Sequence, residues 1–290
     1  MTAYSQVSPR RAILLLSCPD QKGLVARLSN FVFANGGNIV DSDHHTDFAA
    51  NRFLARFEWD LEGFAIPRTA LSHAVGSLMS DIGADWALRF SDVQPRLAIF
   101  VTRQDHCLWD LLWRQRAGEL DCAVPVIVSN HEKLRPVADQ FGIEFCHIPV
   151  AKGAREEAEA QQLELLQAHA VDLVVMAKYM QVLSSGFLSQ APAVINIHHS
   201  FLPAFQGAKP YHRAHERGVK IIGATAHYAT ADLDEGPIIE QGVVRVSHRD
   251  TVGDLIRQGR DIERTTLARA VRLHLHSRVM TYGNRTAVFA

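Results

Sequence analysis

"LAIFVTRQDHCLWDLLWRQRAGELDCAVPVIVSN", Leu97–Asn130, decides the fold. It opens on an apolar run (Leu97–Thr102), continues through the helical stretch "LWDLLWRQRAG" and closes on a second apolar run (Val124–Asn130). The pattern repeats down the chain. "FCHIPV" (Phe145–Val150), "DLVVMAKYM" (Asp172–Met180) and "AVINIHH" (Ala193–His199) are further strand candidates, with "EKLRPVADQFG" and "AREEAEAQQLELLQAHA" as helices between them. Continuous apolar strands alternating with helices predict a mostly parallel sheet covered on both faces. Ligands of such sheets sit at the carboxyl ends of the strands. Thr251 and Asp254 predict a capped start for a long late helix, and "VMTYGNRTAVF" a closing hairpin around Gly283-Asn284.

Upstream the pattern differs. "AILLL" (Ala12–Leu16) is a strand, and Leu24, Leu28 and Phe31 have helical spacing that ends at Gly36-Gly37. "NIVDSDHHTD" is a second strand. Phe53, Ala55, Phe57 and Trp59 alternate with polar residues, which predicts a strand buried on one face. Leu71, Val75, Leu78 and Ile82 mark a helix, and "WALRF" is a last strand. The order βαββαβ predicts a ferredoxin-like domain over 1–91, a linker at 92–96 and an α/β domain over 97–290.

Composition narrows the function. Of 290 residues, 47 % are hydrophobic and 21 % charged, with net charge −1. This excludes a strongly basic nucleic-acid binder and gives no pull toward an anionic membrane. No apolar run reaches the length of a bilayer span, and "MTAYSQVSPRR" lacks a signal-peptide core. Four scattered cysteines without a CxxC read as reduced thiols, so a cytoplasmic protein is expected.

The chemistry concentrates in "NIHHSFLPAFQGAKPYHRAHERG", Asn196–Gly218. Asn196 and His198 are two apart on a strand and share a face. An amide there can donate to a developing oxyanion, and an imidazole can exchange protons near neutral pH. Asp234, in the loop "ATADLDEGP", supplies a carboxylate. His199 is expected on the opposite face of the strand. His212 and His215, at i and i+3, are expected on a solvated helix face. Without a third ligand they are not read as a metal site. His227 and Gly207 are candidate cleft residues. Cys107 follows a strand, but nothing nearby would activate its thiol.

"NIHHSFLPAFQG" and "GATAHYATADLDEGPIIEQ" closely resemble the formyltransferase fold that handles 10-formyltetrahydrofolate, whose pattern reads N-I-H-x-S-x-L-P-x-[FY]-x-G followed by D-x-G-P-[IV]-I. On that resemblance Asn196, His198 and Asp234 take the catalytic positions. Tyr179, Met180, Gln181, Val182, Leu183, Thr230, Asp232 and Leu233 take the folate-binding ones. Transferases that use a ribonucleotide carry a Gly-rich loop after the first strand, and "TRQDHCLWDLLWRQRAGEL" has no such glycines. "DHCLWDLLWR", "KYMQVLS" and "GRDIERTTLARAV" are similar instead to the formyltetrahydrofolate deformylase family. The N-terminal stretch Cys18–Asp47 resembles that family's ACT domain, whose dimers commonly bind amino acids; Asp20, Gly23, Asn38 and Ile39 frame the corresponding site. The resemblance implies hydrolysis of 10-formyltetrahydrofolate to formate and tetrahydrofolate, supply of formate for purine synthesis, no cofactor and no metal. It also implies a homo-oligomer, dimer or tetramer, with methionine or glycine as effector. A formyltransferase with an amine acceptor, a metallohydrolase and an amino-acid sensor are the rival readings.

Overall fold

The computed structural model describes residues 10–151, 153–203 and 210–289. The chain divides into two compact units, one formed by Met1–Gln94 with Ser277–Ala290, the other by Pro95–His276.

In the first unit β1 (Arg11–Pro19), α1 (Leu24–Ala34), β2 (Ile39–Asp47), β3 (Arg52–Asp60), α2 (Arg68–Ile82) and β4 (Asp85–Phe90) follow the expected order. The sheet runs β2-β3-β1-β4, every neighbour antiparallel. One face takes both helices: Leu24, Leu28 and Val32 of α1 and Leu71, Val75 and Met79 of α2 pack on Leu14, Leu16, Phe57 and Trp59. These helix positions recur every three or four residues, as an amphipathic stripe requires.

The second unit holds β5 (Arg96–Val101), α3 (His106–Arg116), β6 (Ala123–Ser129), α4 (Arg135–Phe141), β7 (Glu144–His147), α5 (Arg155–Ala168), β8 (Leu173–Met176), α6 (Ser185–Leu188), β9 (Ala193–His198), α7 (Pro210–Glu216), β10 (Ile221–Tyr228), β11 (Ile238–Arg245) and α8 (Val252–Leu275). Its sheet order is β11-β10-β9-β8-β5-β6-β7. The five strands from β9 to β7 are parallel, as the apolar runs predict. β10 and β11 extend the sheet antiparallel and were not expected as strands. α8 starts at the expected capping box, the Thr251 side chain accepting from the Asp254 backbone and the Asp254 carboxylate accepting in return. It lies close on β11, where a Cβ at Gly242 would come 2.3 Å from Thr266 Oγ1. The order reverses beside β5: β6 and β7 lie on one side, β8 and β9 on the other. That topological switch point is where α/β sheets open a ligand crevice. No described helix is long and apolar enough to cross a membrane.

The closing hairpin, β12 (Val279–Tyr282) and β13 (Arg285–Val288), forms around Gly283-Asn284 as expected. It belongs to the first unit, however, and not to a domain running from 97 to 290. The physical reason lies on β3. Its polar alternation predicted one buried face, yet Leu54 and Arg56 on the other face are buried too. Met280 and Phe289 cover Leu54 and Leu15. The Arg56 guanidinium donates to Asp41 and Glu58, both at 2.6 Å, and to the Ser277 carbonyl at 3.0 Å. A buried cation held by two carboxylates and a carbonyl is satisfied only when the hairpin is in place.

Candidate active site

Asn196 and His198 lie on the last turns of β9, and β10 pairs with them antiparallel, setting His227 opposite Asn196 and Thr225 opposite His198. A register shift between Ala226 and His227 on the β11 side gives β10 a local irregularity. Such bulges re-aim side chains beside active sites. His227 Nδ1 donates to the Tyr228 carbonyl at 2.9 Å, and its Nε2 lies 3.2 Å from the Asn196 amide nitrogen. This fixes the amide and leaves its second N–H for a ligand. His227, expected only as a cleft residue, thus anchors Asn196.

Asp234 completes the set. Its Oδ2 lies 3.1 Å from His198 Nδ1 and its Oδ1 3.7 Å from His227 Nε2. Burial raises its carboxyl pKa, but the imidazoles of His198 and His227 beside it outweigh this and hold it well below the ordinary carboxylate range. With Nδ1 committed to Asp234, His198 has Nε2 left, and that buried atom has no hydrogen-bond partner among the described residues. A buried orphan nitrogen of this kind calls for a ligand.

The backbone at Asp234 is left-handed, φ +58°. The turn closes through Gly236, where a Cβ would fall 1.8 Å from the Tyr228 carbonyl oxygen. Gly236→Ala must therefore displace the loop. The expected result is a loss of about 10²-fold in kcat/KM from a misplaced Asp234, in a chain whose far-UV circular dichroism is unchanged; wild-type kinetics would show that the loop tolerates the shift.

These groups open on a cleft of about 430 Å³. Of the expected folate-binding residues, Tyr179, Met180, Gln181, Val182, Leu183, Thr230 and Leu233 line it together with Asn196, His198, His227 and Asp234. Asp232 is not among the lining residues; its carbonyl accepts from the Thr230 hydroxyl inside the turn. Gly207 lies outside the described residues. The loop after β8 is pinned at both ends. Met180 N donates to Thr102 Oγ1 at 3.0 Å and Ser184 N to Glu159 Oε1 at 2.8 Å, while the Tyr179 hydroxyl accepts from Gln162. Met180, Val182 and Leu233 remain exposed at the cleft, apolar area suited to a flat heterocycle or aryl group.

His199 departs from expectation. Strand alternation stops at His198, so His199 does not turn to the opposite face. Its ring stacks on His198, centroids 4.7 Å apart and planes at 19°, and it lines the same cleft. His212 and His215 are exposed on α7, as expected. Cys107 is fully buried and burial pushes its thiol well up, which makes it inert. Sequence reasoning missed Lys178, which lines the cleft at 5 % exposure and pairs with buried Glu263 at 3.3 Å. A lysine inside "VVMAKYM" and a glutamate on the apolar face of α8 were the available signals.

The expected effector residues do not meet within one copy of the first unit. Gly23, φ +86°, starts α1, whereas Asn38 and Ile39 follow its far end. Eleven helical residues separate the two pairs, about 16 Å along the axis.

The formyl transferase family matches residues 95–271, nearly the whole second unit. A formyltetrahydrofolate deformylase from Synechocystis sp. is 60 % identical over 279 residues, covering 96 % of this chain and 98 % of the relative. The crystal structure of a formyltetrahydrofolate deformylase from Pseudomonas syringae pv. tomato is similar with a TM-score of 0.93 at 42 % identity, over 99 % of this chain and 96 % of that one. A glycinamide ribonucleotide transformylase from Symbiobacterium toebii, 34 % identical with a TM-score of 0.66, covers 70 % of this chain and 98 % of its own. The transformylase matches 70 % of the chain, whereas the deformylases match nearly all of it. By sequence and by structure, the chain belongs to the formyltetrahydrofolate deformylase family.

Proposed function

We propose that the chain hydrolyses 10-formyltetrahydrofolate to formate and tetrahydrofolate, with Asn196, His198 and Asp234 as its catalytic groups. The observation that carries the assignment of roles is the convergence of the Asn196 amide, the orphan Nε2 of His198 and the Asp234 carboxylate on one cleft. Water adds to the formyl carbon, forming the C–O bond. The oxyanion accepts from the free Asn196 N–H and from His198 Nε2–H. Collapse breaks the C–N10 bond, and the proton lost by water ends on N10. Asp234 holds the His198 proton on Nδ1 and compensates the imidazolium. An oxyanion donor of this type is worth about 10²–10³-fold and an acid–base group about 10²–10⁴-fold.

The exposed apolar residues of the 179–183 and 230–234 loops support a folate seated along them. Formyl transfer to an amine acceptor is not favoured, since the full-length relatives are deformylases. The reading needs no redox or carrier cofactor, because forming the C–O bond and breaking the C–N10 bond change no net oxidation state and need only proton transfers beside them. Around this activity we place a cytoplasmic homo-oligomer that supplies formate for purine synthesis and answers to methionine or glycine through its first unit. In that arrangement Asp20 and Gly23 of one copy would meet Asn38 and Ile39 of another.

The test is release of formate and tetrahydrofolate from 10-formyltetrahydrofolate with no amine added, before and after exhaustive chelation. Stoichiometric formate in both arms supports the assignment. Formate that appears only with an amine, or vanishes with the chelator, refutes it.

A further inference from the structure

His199 is a wall of two cavities. One is the cleft; the other, of about 230 Å³, is enclosed by the segment after β9, by α7, by the start of β10 and by β11. Pro210, Ala214 and Ile222 line this second cavity and are buried. Phe201, Ile221 and Val243 line it and are exposed, so it opens to solvent on their side. Its surface is almost wholly apolar. Among the described lining residues only His199, Ser200 and Tyr211 carry polar side-chain atoms.

Tyr211 is already engaged. Its hydroxyl donates to Glu263 Oε1 at 3.0 Å. The other oxygen of that carboxylate lies 2.7 Å from His106 Nε2 and 3.3 Å from Lys178 Nζ. The Glu263 charge is thus answered within the protein and makes no demand on the cavity. Tyr211 is also held from behind, since a Cβ at Gly259 of α8 would fall 2.1 Å from its hydroxyl oxygen. This wall is formed before any ligand arrives, as small-molecule sites usually are.

Ser200 is not engaged. The residue is 4 % exposed, and its buried Oγ has no hydrogen-bond partner among the described residues. Its backbone is anchored, the carbonyl accepting from Thr225 Oγ1 at 2.9 Å. A buried hydroxyl left unpaired is costly, and one that lines a cavity calls for a partner inside it.

We propose that this cavity is a second ligand site, for a small neutral aromatic molecule bearing one hydroxyl, with that hydroxyl bonded to Ser200. Three features select the class. The size suits a single ring with a polar substituent, because an apolar cavity of about 150 Å³ already holds benzene. The rings of Phe201, Tyr211 and His199 line it, and aromatic faces and edges favour another ring. No Lys, Arg, Asp or Glu stands among its described lining residues, so a charged ligand would shed its water without compensation. Binding there is separate from the hydrolysis, although the occupant would lie against the ring that stacks on His198.

The test is an NMR titration of the full-length chain with phenol, benzene and benzoate, and it needs no folate. Phenol should give saturable shifts at the amides of Ala214, Ile222 and Gly223 and at the His199 ring. Benzene should shift the same signals with about two- to tenfold lower affinity, the share of one net hydrogen bond. Benzoate should leave them unmoved. In Ser200→Ala the advantage of phenol over benzene should disappear while benzene still binds. Ala214→Leu, or Ala214→Val where the leucine variant does not fold, fills the cavity and should abolish the shifts with both ligands. The proposal is overturned by the absence of saturable shifts at Ala214 and Gly223 in the wild type, or by shifts confined to Met180 and Thr230 of the cleft. It is equally overturned by benzoate binding as tightly as phenol, or by a phenol preference that survives in Ser200→Ala.

Discussion

Asp234→Asn lowers kcat on 10-formyltetrahydrofolate by about 10²–10⁴-fold while KM changes little. The substitution isolates the charge. Asparagine is nearly isosteric and is among the residues that best tolerate left-handed backbone, so the +58° turn at this position survives. What disappears is the anion 3.1 Å from His198 Nδ1. An amide can present its N–H there, turning the imidazole to the wrong tautomer, and it compensates no positive charge in the transition state. Asp234→Ala would confound this with backbone strain. The measurement is steady-state kcat and KM with a thermal melt as control. Turnover within a few-fold of wild type would remove Asp234 from the catalytic set.

Loss of stability on acidification is the second large effect. The His199 pKa is depressed from 6.5 to about 4 by burial and by Lys178. Between those values the unfolded chain binds a proton that the folded chain refuses, so stability falls as pH falls from about 6.5 to 4. At 1.36 kcal/mol per unit the loss reaches about 3 kcal/mol by pH 4. Asp234 adds to it lower down. Its carboxyl is held below the ordinary range, so its contribution is present at neutral pH and disappears as pH falls through its folded value. Urea denaturation of the second unit, followed by activity at pH 7, 6 and 5, should show the midpoint falling. In His199→Gln the fall between pH 6.5 and 5 should be flattened. An equal slope in both proteins would mean that the loss comes from other groups.

Much of this architecture is readable in the chain, and the exceptions share a cause. β5, β6, β8 and β9 are buried on both faces, so their residues form continuous apolar runs and announce themselves. β10 carries Gly223, Thr225 and His227, and β11 carries Glu240, Gln241 and Gly242, because those positions serve hydrogen bonds, the site and the close approach of α8. Function has diluted their strand signal. The closing hairpin is local in sequence, but the face it covers belongs to the first strands of the chain, and Arg56 disguises that face as solvent-exposed. In the site, Asn196, His198 and Asp234 are legible from motif and strand period. His199 was misplaced because the period ends one residue too early. Lys178, Glu263, His106 and Tyr211 come from four separate elements, and no local pattern marks a charge cluster assembled by tertiary packing.

The hairpin also sets an order of events in the life of the chain. Leu15 and Leu54 emerge early from the ribosome, yet the residues that cover them, Met280 and Phe289, are made after the whole second unit. Throughout that interval the nascent four-stranded sheet carries an uncapped apolar face and an arginine deprived of part of its hydrogen bonding. Synthesis thus finishes the formyl-handling unit before the unit begun first, and the vulnerable species for aggregation or chaperone capture is a nearly complete polypeptide that can already fold its cleft.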